Sequence, residues 1–337
     1  MKRTLFISPE AYAFIENGRL VEFLSPDETH GDIVLGRVDR IMPGLNCAFT
    51  DIGRKKDGFL PLKENSQSFT GPILRSGDRI PVQIRREETG EKGAYLSRDL
   101  TIPGRQLILM PCNRYIGVSA RIKDPACREA LRVLGADLAD GRFGLVMRAV
   151  SADAPEEIIC REASDLWDMW REIQERLRTV HSPGELLFSC DSLSALHRDY
   201  GDFETVRCAE LPPSVKQQLE ASTLRKVSLK GGGNLIIDRC EAMTVIDVNS
   251  ASATGTGAPK ESTVTAVNLE ACKEVAVQIR LRDLCGIILI DFIDMETETD
   301  RNRVLECFRE AIGPDRKKTV IHGWTHLGLM EMTRKRD

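Results

Sequence analysis

Short runs of alternating apolar and polar residues fill the chain from its start to Leu100, the period-two signature of strands. Residues 1–30 read as two or three short strands, with turn chemistry at Asn17-Gly18 and Ser25-Pro26. From Gly31 onward the runs Asp32–Val38, Asn46–Ile52, Gly58–Leu62 and Ile80–Arg86 are separated by Gly, Pro and Asp. About five short strands over roughly 70 residues suit a small barrel of the OB kind.

The period then lengthens. Residues 101–180 mix strands and helices, and Leu166, Trp170, Ile173 and Leu177 share one face of a helix starting near Ser164 or Asp165. Such an apolar stripe reads as core. Residues 181–222 carry less pattern, although Pro212-Pro213 predicts a helix running through Leu219. From Lys230 the chain turns α/β. Strands at Leu235–Asp238 and Met243–Val248 precede a long helix that buries Val264, Val267, Ala271, Val275 and Ile279. Gly286 is placed to stop that helix. A buried strand at Ile287–Phe292 and a helix ending at Ile312 follow. There is no internal repeat and no low-complexity segment.

Composition narrows the classes. With 337 residues, 42% hydrophobic and 29% charged, the chain can build two or three ordinary folded units. Its ten cysteines stand singly, without a C-x-x-C pair, so no zinc site of the common kind is expected. No apolar run approaches the roughly 18–20 residues of a membrane span, and Met1-Lys2-Arg3 opens onto an apolar run that stops at Ser8-Pro9, unlike a signal peptide. The expectation is a cytoplasmic protein with reduced thiols. The formal net charge of −4, from 47 Lys and Arg against 51 Asp and Glu, weighs against a nucleic-acid partner. Local distribution weighs the other way: Gly313–Asp337 holds six basic residues against three acids.

The candidate chemistry lies in two carboxylates. Glu241–Asn249 reads as a strand ending in Asp247-Val248-Asn249, with Asp247 and Asn249 on one face behind Met243 and Val245, which should be buried. In Gly286–Met295, Ile287, Leu289 and Asp291 share one face and Ile288, Ile290 and Phe292 the other, as in a central strand covered on both sides. A carboxylate ending such a strand is costly unless it is paired or metal-bound. Two acids and an amide on strand ends suit a hard cation such as magnesium, which takes one or two carboxylates and keeps several waters. The alternative is that Asp247 and Asp291 cap turns or pair with arginines. Arg282, in the basic end of the intervening helix, either compensates the helix dipole or contacts a phosphate close to the metal.

These blocks resemble the ribonuclease E/G family. The likeness rests on Glu241–Asn249, Asn268–Ala271, Gln278–Leu284, Ile290–Met295 and Gly328–Arg336, with earlier segments Gly36–Gly44, Ala48–Gly53, Gly58–Leu62, Lys92–Ala94 and Leu109–Pro111 in order. The resemblance implies a mixed α+β and α/β multidomain fold. A ribonuclease-H-like subdomain (1–30 and 182–222) would accept an OB-fold RNA-binding domain (31–100) and a 5′-sensor domain (101–181), with a DNase-I-like catalytic subdomain (223–337) after them. It carries the magnesium ligands onto Asp247 and Asp291, the hydrogen-bonding amide onto Asn249, and RNA contacts onto Phe49, Phe59 and Lys92. By composition alone both phenylalanines read as core; aromatic faces backed by cations are what sequence-tolerant single-strand binding needs.

The 5′-phosphate sensor falls on Arg148 with Ile108. The family has an Arg-Thr pair there, whereas Arg148 is followed by Ala149, so a hydroxyl is missing. The family also continues into a two-cysteine zinc link and a small domain, whereas this sequence stops at Asp337, so no zinc is expected. The activity implied is magnesium-dependent hydrolysis of single-stranded RNA, with manganese able to substitute. It leaves 5′-phosphate and 3′-hydroxyl ends, in rRNA and mRNA processing or decay, and homo-oligomerisation is an option. The rival reading is a non-catalytic RNA-binding regulator that keeps the OB domain.

Overall fold

The computed structural model describes residues 2–26, 29–63, 68–250, 261–313 and 315–335. Arg336 and Asp337, counted above in the basic stretch, lie outside them. Contacts divide the chain into two units, residues 27–201 and residues 1–26 with 202–336. No helix among the described residues is long and apolar enough to cross a membrane.

In the unit 27–201, strands Ile33–Met42, Cys47–Asp51, Gly58–Pro61, Tyr95–Ser97 and Arg79–Arg86 pair in that order, and the first also pairs with the last. The result is a closed five-stranded barrel, filled by Val38, Ala48, Leu60, Val82, Ile84 and Leu96. Leu186–Phe188, a strand too short to show in the pattern of 181–222, adds to the outside of Ile33–Met42. A second sheet, Ile116–Val118, Gly144–Met147, Leu107–Met110 and Ile102–Pro103, shares a core with helices Pro125–Ala139 and Glu156–Thr179. The second helix begins two turns before the start read from the sequence. Pro155 caps it, Glu156 and Glu157 sit at its positive end, and Ile159 and Ala163 extend the buried stripe of Leu166, Trp170 and Ile173 into these first turns. Leu166, Trp170 and Ile173 are buried as expected.

In the other unit, Glu204–Arg207, Arg3–Ile7, Tyr12–Glu16 and Arg19–Leu24 form a four-stranded sheet. Its second hairpin turns on Asn17 and Gly18, both at positive φ (49° and 82°), the conformation that Asn-Gly tolerates best. Of the segment 182–222, only the part from Asp202 belongs to this unit. The helix opened by Pro213 runs to Thr223, one turn beyond Leu219, and packs Val215 against Ala13, Ile15 and Leu20.

A six-stranded mixed sheet completes the unit, in the order Lys226–Ser228, Asn234–Arg239, Met243–Asn249, Gly286–Asp291, Met330–Arg334, Thr319–Trp324. Helices Glu261–Leu281 and Glu298–Ile312 contribute Ala271, Val275, Val304 and Phe308 to a core with Ile246, Val248, Ile288, Ile290, Met330 and Met332. This corrects two expectations. Met243 and Val245 are only half-buried, while Thr244, Ile246 and Val248 face the helices. The strand Gly286–Asp291 is covered on one side: Ile288 and Ile290 are fully buried, but Ile287 is 47% exposed. Both strands are apolar on two faces in sequence, yet the helices reach only one.

The long helix stops at Asp283, which takes the left-handed conformation (φ 46°) while Leu284 N–H donates to the Ile279 carbonyl. Asp283 therefore does the work assigned to Gly286, and Gly286, at φ 90°, opens the next strand. The last two strands escaped the pattern because Thr319–Trp324 has no buried position and the buried positions of Met330–Arg334 are methionines and an arginine. Arg334 is 4% exposed and forks onto Asp315, 3% exposed, through Nε–Oδ2 at 2.7 Å and Nη2–Oδ1 at 3.0 Å. Its Nη1 donates to Asp283 Oδ1 at 2.7 Å and to the Leu284 carbonyl at 3.2 Å. Lys317 also pairs with Asp283, and Arg316 with Glu22. Three cations of the basic stretch are thus committed to internal ion pairs.

Arg334→Ala should strand the buried Asp315 and cost roughly 3–5 kcal/mol of stability in urea unfolding, while the exposed pair member Arg178→Ala should change it by about 0.5 kcal/mol or less. Burial opposes the Asp315 charge, but the Arg334 fork and Thr319 hold its carboxyl below the usual range. A carboxyl depressed by folding stabilises above its unfolded pKa of about 3.9 and loses that contribution as pH falls through its lower folded value. Acid unfolding should therefore be less steep in the Arg334 variant.

Candidate functional site

Strands Met243–Asn249 and Gly286–Asp291 run parallel, and register makes Asp247 the partner of Asp291, as it makes Val245 the partner of Leu289. Both acids stand at the carboxyl ends of neighbouring parallel strands, where ligands of open α/β sheets characteristically bind. They lie on the face that the helices leave open; Asp291 is exposed and Asp247 half-buried. Asn249, two residues on and on the same face, donates from Nδ2 to Asp247 Oδ2 at 2.7 Å, which fixes that carboxylate's orientation. Partial burial pushes the Asp291 carboxyl above its ordinary range, and the negative charges of Asp247 and Asp294 push it the same way. All three effects are relieved by a cation.

The turn after Asp291 is fastened from below. Asn268 is fully buried on the helix; its Nδ2 donates to the Ile293 carbonyl at 2.8 Å and its Oδ1 accepts from Ile293 N–H at 3.1 Å. Asn268 and Asp294 were given no role in the sequence reading. Both lie within the family-like blocks Asn268–Ala271 and Ile290–Met295, and the usable signal for Asn268 is an amide on the otherwise apolar face of a helix.

Among the described residues, no group of three or more His, Cys, Asp or Glu side chains is arranged to hold a metal ion. The donor set is two facing carboxylates, with an amide orienting one of them. Hard oxygen donors that few in number fit a hydrated magnesium ion, which keeps most of its waters, better than a soft metal that needs a full protein cage.

Arg282 is not beside these acids. It precedes the strand that Asp291 ends, so about 17 Å of strand separates them at roughly 3.3 Å per residue. Its Nε donates to Gln278 Oε1 at 2.7 Å and its Nη2 to the Leu224 carbonyl at 2.7 Å. Burial, with the charge of Arg239, lowers its pKa. A phosphate contact close to the metal is therefore not open to it.

On the barrel, Phe49 and Phe59 are register partners with ring centroids 6.4 Å apart. Both are half-buried, while Ala48, Thr50, Gly58 and Leu60 beside them are buried, so the rings stand on the outside of the barrel rather than in its core. Lys92 is exposed in the connection between the strands Arg79–Arg86 and Tyr95–Ser97. Arg148 donates from Nη1 to the Gly104 carbonyl at 2.8 Å and from Nη2 to Asp199 Oδ1 at 2.7 Å. Ile108 is half-buried on the neighbouring strand, paired with Val146 and Pro103. The carboxylate of Asp199, which sequence reasoning missed, thus occupies the guanidinium assigned to a terminal phosphate. Ala149 begins a short 3-10 helix.

Comparison with known proteins gives this geometry its context. The Ribonuclease E/G family matches residues 101–210 and 212–337. Ribonuclease G of Escherichia coli strain K12 is 34% identical over 96% of this chain and 77% of its own length. The chain belongs to the ribonuclease E/G family. Ribonuclease G of Salmonella typhimurium is 33% identical over the same shares. Ribonuclease E of a Nostoc species is 34% identical over 91% of this chain and 51% of its own length.

Two like charges held side by side should destabilise the metal-free fold. Asp291→Asn is expected to raise stability in chelator by about 0.2–1 kcal/mol, the range of exposed charge pairs, and to remove any rise in Tm that magnesium gives the wild type. A variant that gains nothing in chelator and still responds to magnesium would contradict this reading.

Proposed function

We propose that this chain is an endoribonuclease that hydrolyses phosphodiester bonds in single-stranded RNA with magnesium. The observation that carries the reading is the register pairing of Asp247 with Asp291 at the carboxyl ends of two parallel strands, in a family whose relatives are named ribonucleases G and E. Asp247 and Asp291 would hold the cation, and Asn249 keeps Asp247 in one orientation. When bound, magnesium supplies a positive charge against the scissile phosphate and lowers the pKa of a coordinated water; manganese supplies the same chemistry.

Asn268 holds the turn beyond Asp291, so that its carboxylate stays beside Asp247. Hydrolysis by water leaves a 5′-phosphate and a 3′-hydroxyl and makes no demand on the ribose 2′-hydroxyl. The family layout fits the observed elements. The barrel would be the OB-fold RNA-binding domain, the sheet and helices of 102–179 the 5′-sensor, and the six-stranded sheet the DNase-I-like catalytic subdomain. The ribonuclease-H-like part would be the first strands with Glu204–Arg207. The role that follows is cytoplasmic rRNA and mRNA processing or decay.

A 5′-labelled single-stranded oligoribonucleotide should be cut in magnesium and left whole in chelator. Asp247→Asn and Asp291→Asn should each slow cutting by at least roughly a hundredfold, since a metal's charge stabilisation is worth several kcal/mol. RNA affinity measured in chelator should stay within about twofold, because phosphate and stacking contacts supply it. Undiminished cleavage by either variant would remove the site.

A 5′-phosphate must displace Asp199 from Arg148 and finds no hydroxyl at Ala149. The rate ratio of 5′-monophosphate to 5′-hydroxyl substrate should therefore stay above one but below about a hundredfold, and Ala149→Thr should raise it by about tenfold or more, as a hydrogen bond to a charged group allows. A wild-type ratio of a hundredfold that threonine leaves unchanged would place sensing on other residues.

A further inference from the structure

Five register partners form one row around the barrel: Arg40 beside Phe49, Phe49 beside Phe59, Phe59 beside Tyr95, and Tyr95 beside Arg86. Each of the five barrel strands contributes one member. The rings of Phe59 and Tyr95 stack at 5.7 Å with 24° between their planes, and Phe49 meets Phe59 edge-on at 6.4 Å. The guanidinium of Arg40 lies 5.4 Å from the centre of Phe49, and that of Arg86 lies 5.5 Å from the centre of Tyr95. Tyr95 points outward like the two phenylalanines, since Ala94 and Leu96 on either side of it are buried.

Simple alternation would put neither arginine on this face. Val38 and Ile84 are buried in the barrel, paired inward with Thr50 and Leu96, and a residue two places further along a strand shares their side. The register shifts between Val38 and Arg40, and again between Ile84 and Arg86. An extra residue at each point turns the arginine outward, which is how β-bulges re-aim side chains. Two separate bulges thus bring a cation to each end of one aromatic row. Shielding a barrel from water requires rings; it does not require a guanidinium at both ends. The exposed Lys92 adds a third cation three residues before Tyr95.

We propose that this row is a single binding band for single-stranded RNA, in which Tyr95 is a third base-stacking ring and Arg40 and Arg86 take phosphates at its two ends. The proposal rests on the reading of the barrel as the RNA-binding part, in which only Phe49, Phe59 and Lys92 have a role. Spacings of 5.7 and 6.4 Å between rings exceed the about 3.4 Å between stacked bases, so the row suits an unstacked strand and not a duplex. Stacking on rings backed by cations is tolerant of sequence. In the free protein Arg86 covers the outer side of Tyr95; in the complex a base takes that place and the guanidinium turns to the adjoining phosphate.

The test measures binding of a fluorescent single-stranded oligoribonucleotide to the full chain in chelator, where no cleavage is expected. Tyr95→Ala and Tyr95→Leu, the second keeping apolar cover over the barrel, should both weaken binding by about five- to a hundredfold, the loss of one stacked base. Tyr95→Phe should stay within about twofold. Arg40→Gln and Arg86→Gln should each reduce the steepness of the salt dependence by about one phosphate contact. Unchanged affinity in Tyr95→Leu, with Phe59→Ala weakened in parallel, would overturn the role of Tyr95 and leave the barrel as an RNA surface. Unchanged affinity in both would overturn the reading of the barrel as well. A duplex bound as tightly as the single strand would also overturn the proposal.

Discussion

Asp247 and Asp291 are register partners, so the hydrogen-bonded ladder of two parallel strands fixes one carboxylate beside the other. Their repulsion cannot relax by a change of backbone, because Ile246 and Val248 on one strand and Ile288 and Ile290 on the other are locked into the helix-covered core. The same packing that stabilises the sheet therefore holds the charges together. What remains adjustable is the occupant of the space between them, and a hard cation satisfies both acids. The open face makes this workable: waters and a polymer phosphate can reach an uncovered sheet, which they could not do inside a sandwich.

Supporting contacts follow from that constraint. The Asn249 amide turns Asp247, and Asn268 pins the backbone just past Asp291 from within the core. At the opposite end of the strand, the buried Arg334 ties Asp315 and Asp283 together where the long helix has stopped. Register is thereby anchored at one end, and the acids project from the other. The barrel uses backbone register in a similar way, with bulges that break alternation in order to place side chains on the outer surface.

Much of this was legible in the sequence, and the failures share a cause. The three strands Asn234–Arg239, Met243–Asn249 and Gly286–Asp291 and the two helices beside them were legible because they signal by apolar period, and Asp247, Asn249 and Asp291 stood out as polar endings on apolar runs. Which face those runs bury was not legible. Met243, Val245 and Ile287 are as apolar as their buried neighbours, and only the placement of two helices decides between the sides. The strand Met330–Arg334 was missed because methionines and an arginine fill its buried positions, and Thr319–Trp324 because it has no buried position to set a period. The first turns of the helix Glu156–Thr179 do carry the apolar stripe, through Ile159 and Ala163, and were legible. Asp199 on Arg148 and Tyr95 beside Phe59 depend on long-range pairing that no local pattern carries.

Identification of the atom that attacks phosphorus tests the central claim most directly. One single-stranded oligoribonucleotide would be cut in magnesium and water enriched in oxygen-18, and its fragments weighed by mass spectrometry. The account predicts a 3′-hydroxyl on the upstream fragment and one heavy oxygen in the 5′-phosphate of the downstream fragment, with the same result when the ribose at the cleavage site lacks its 2′-hydroxyl. A 2′,3′-cyclic phosphate, or loss of cleavage on removal of that hydroxyl, would show that the ribose is the nucleophile and would contradict it.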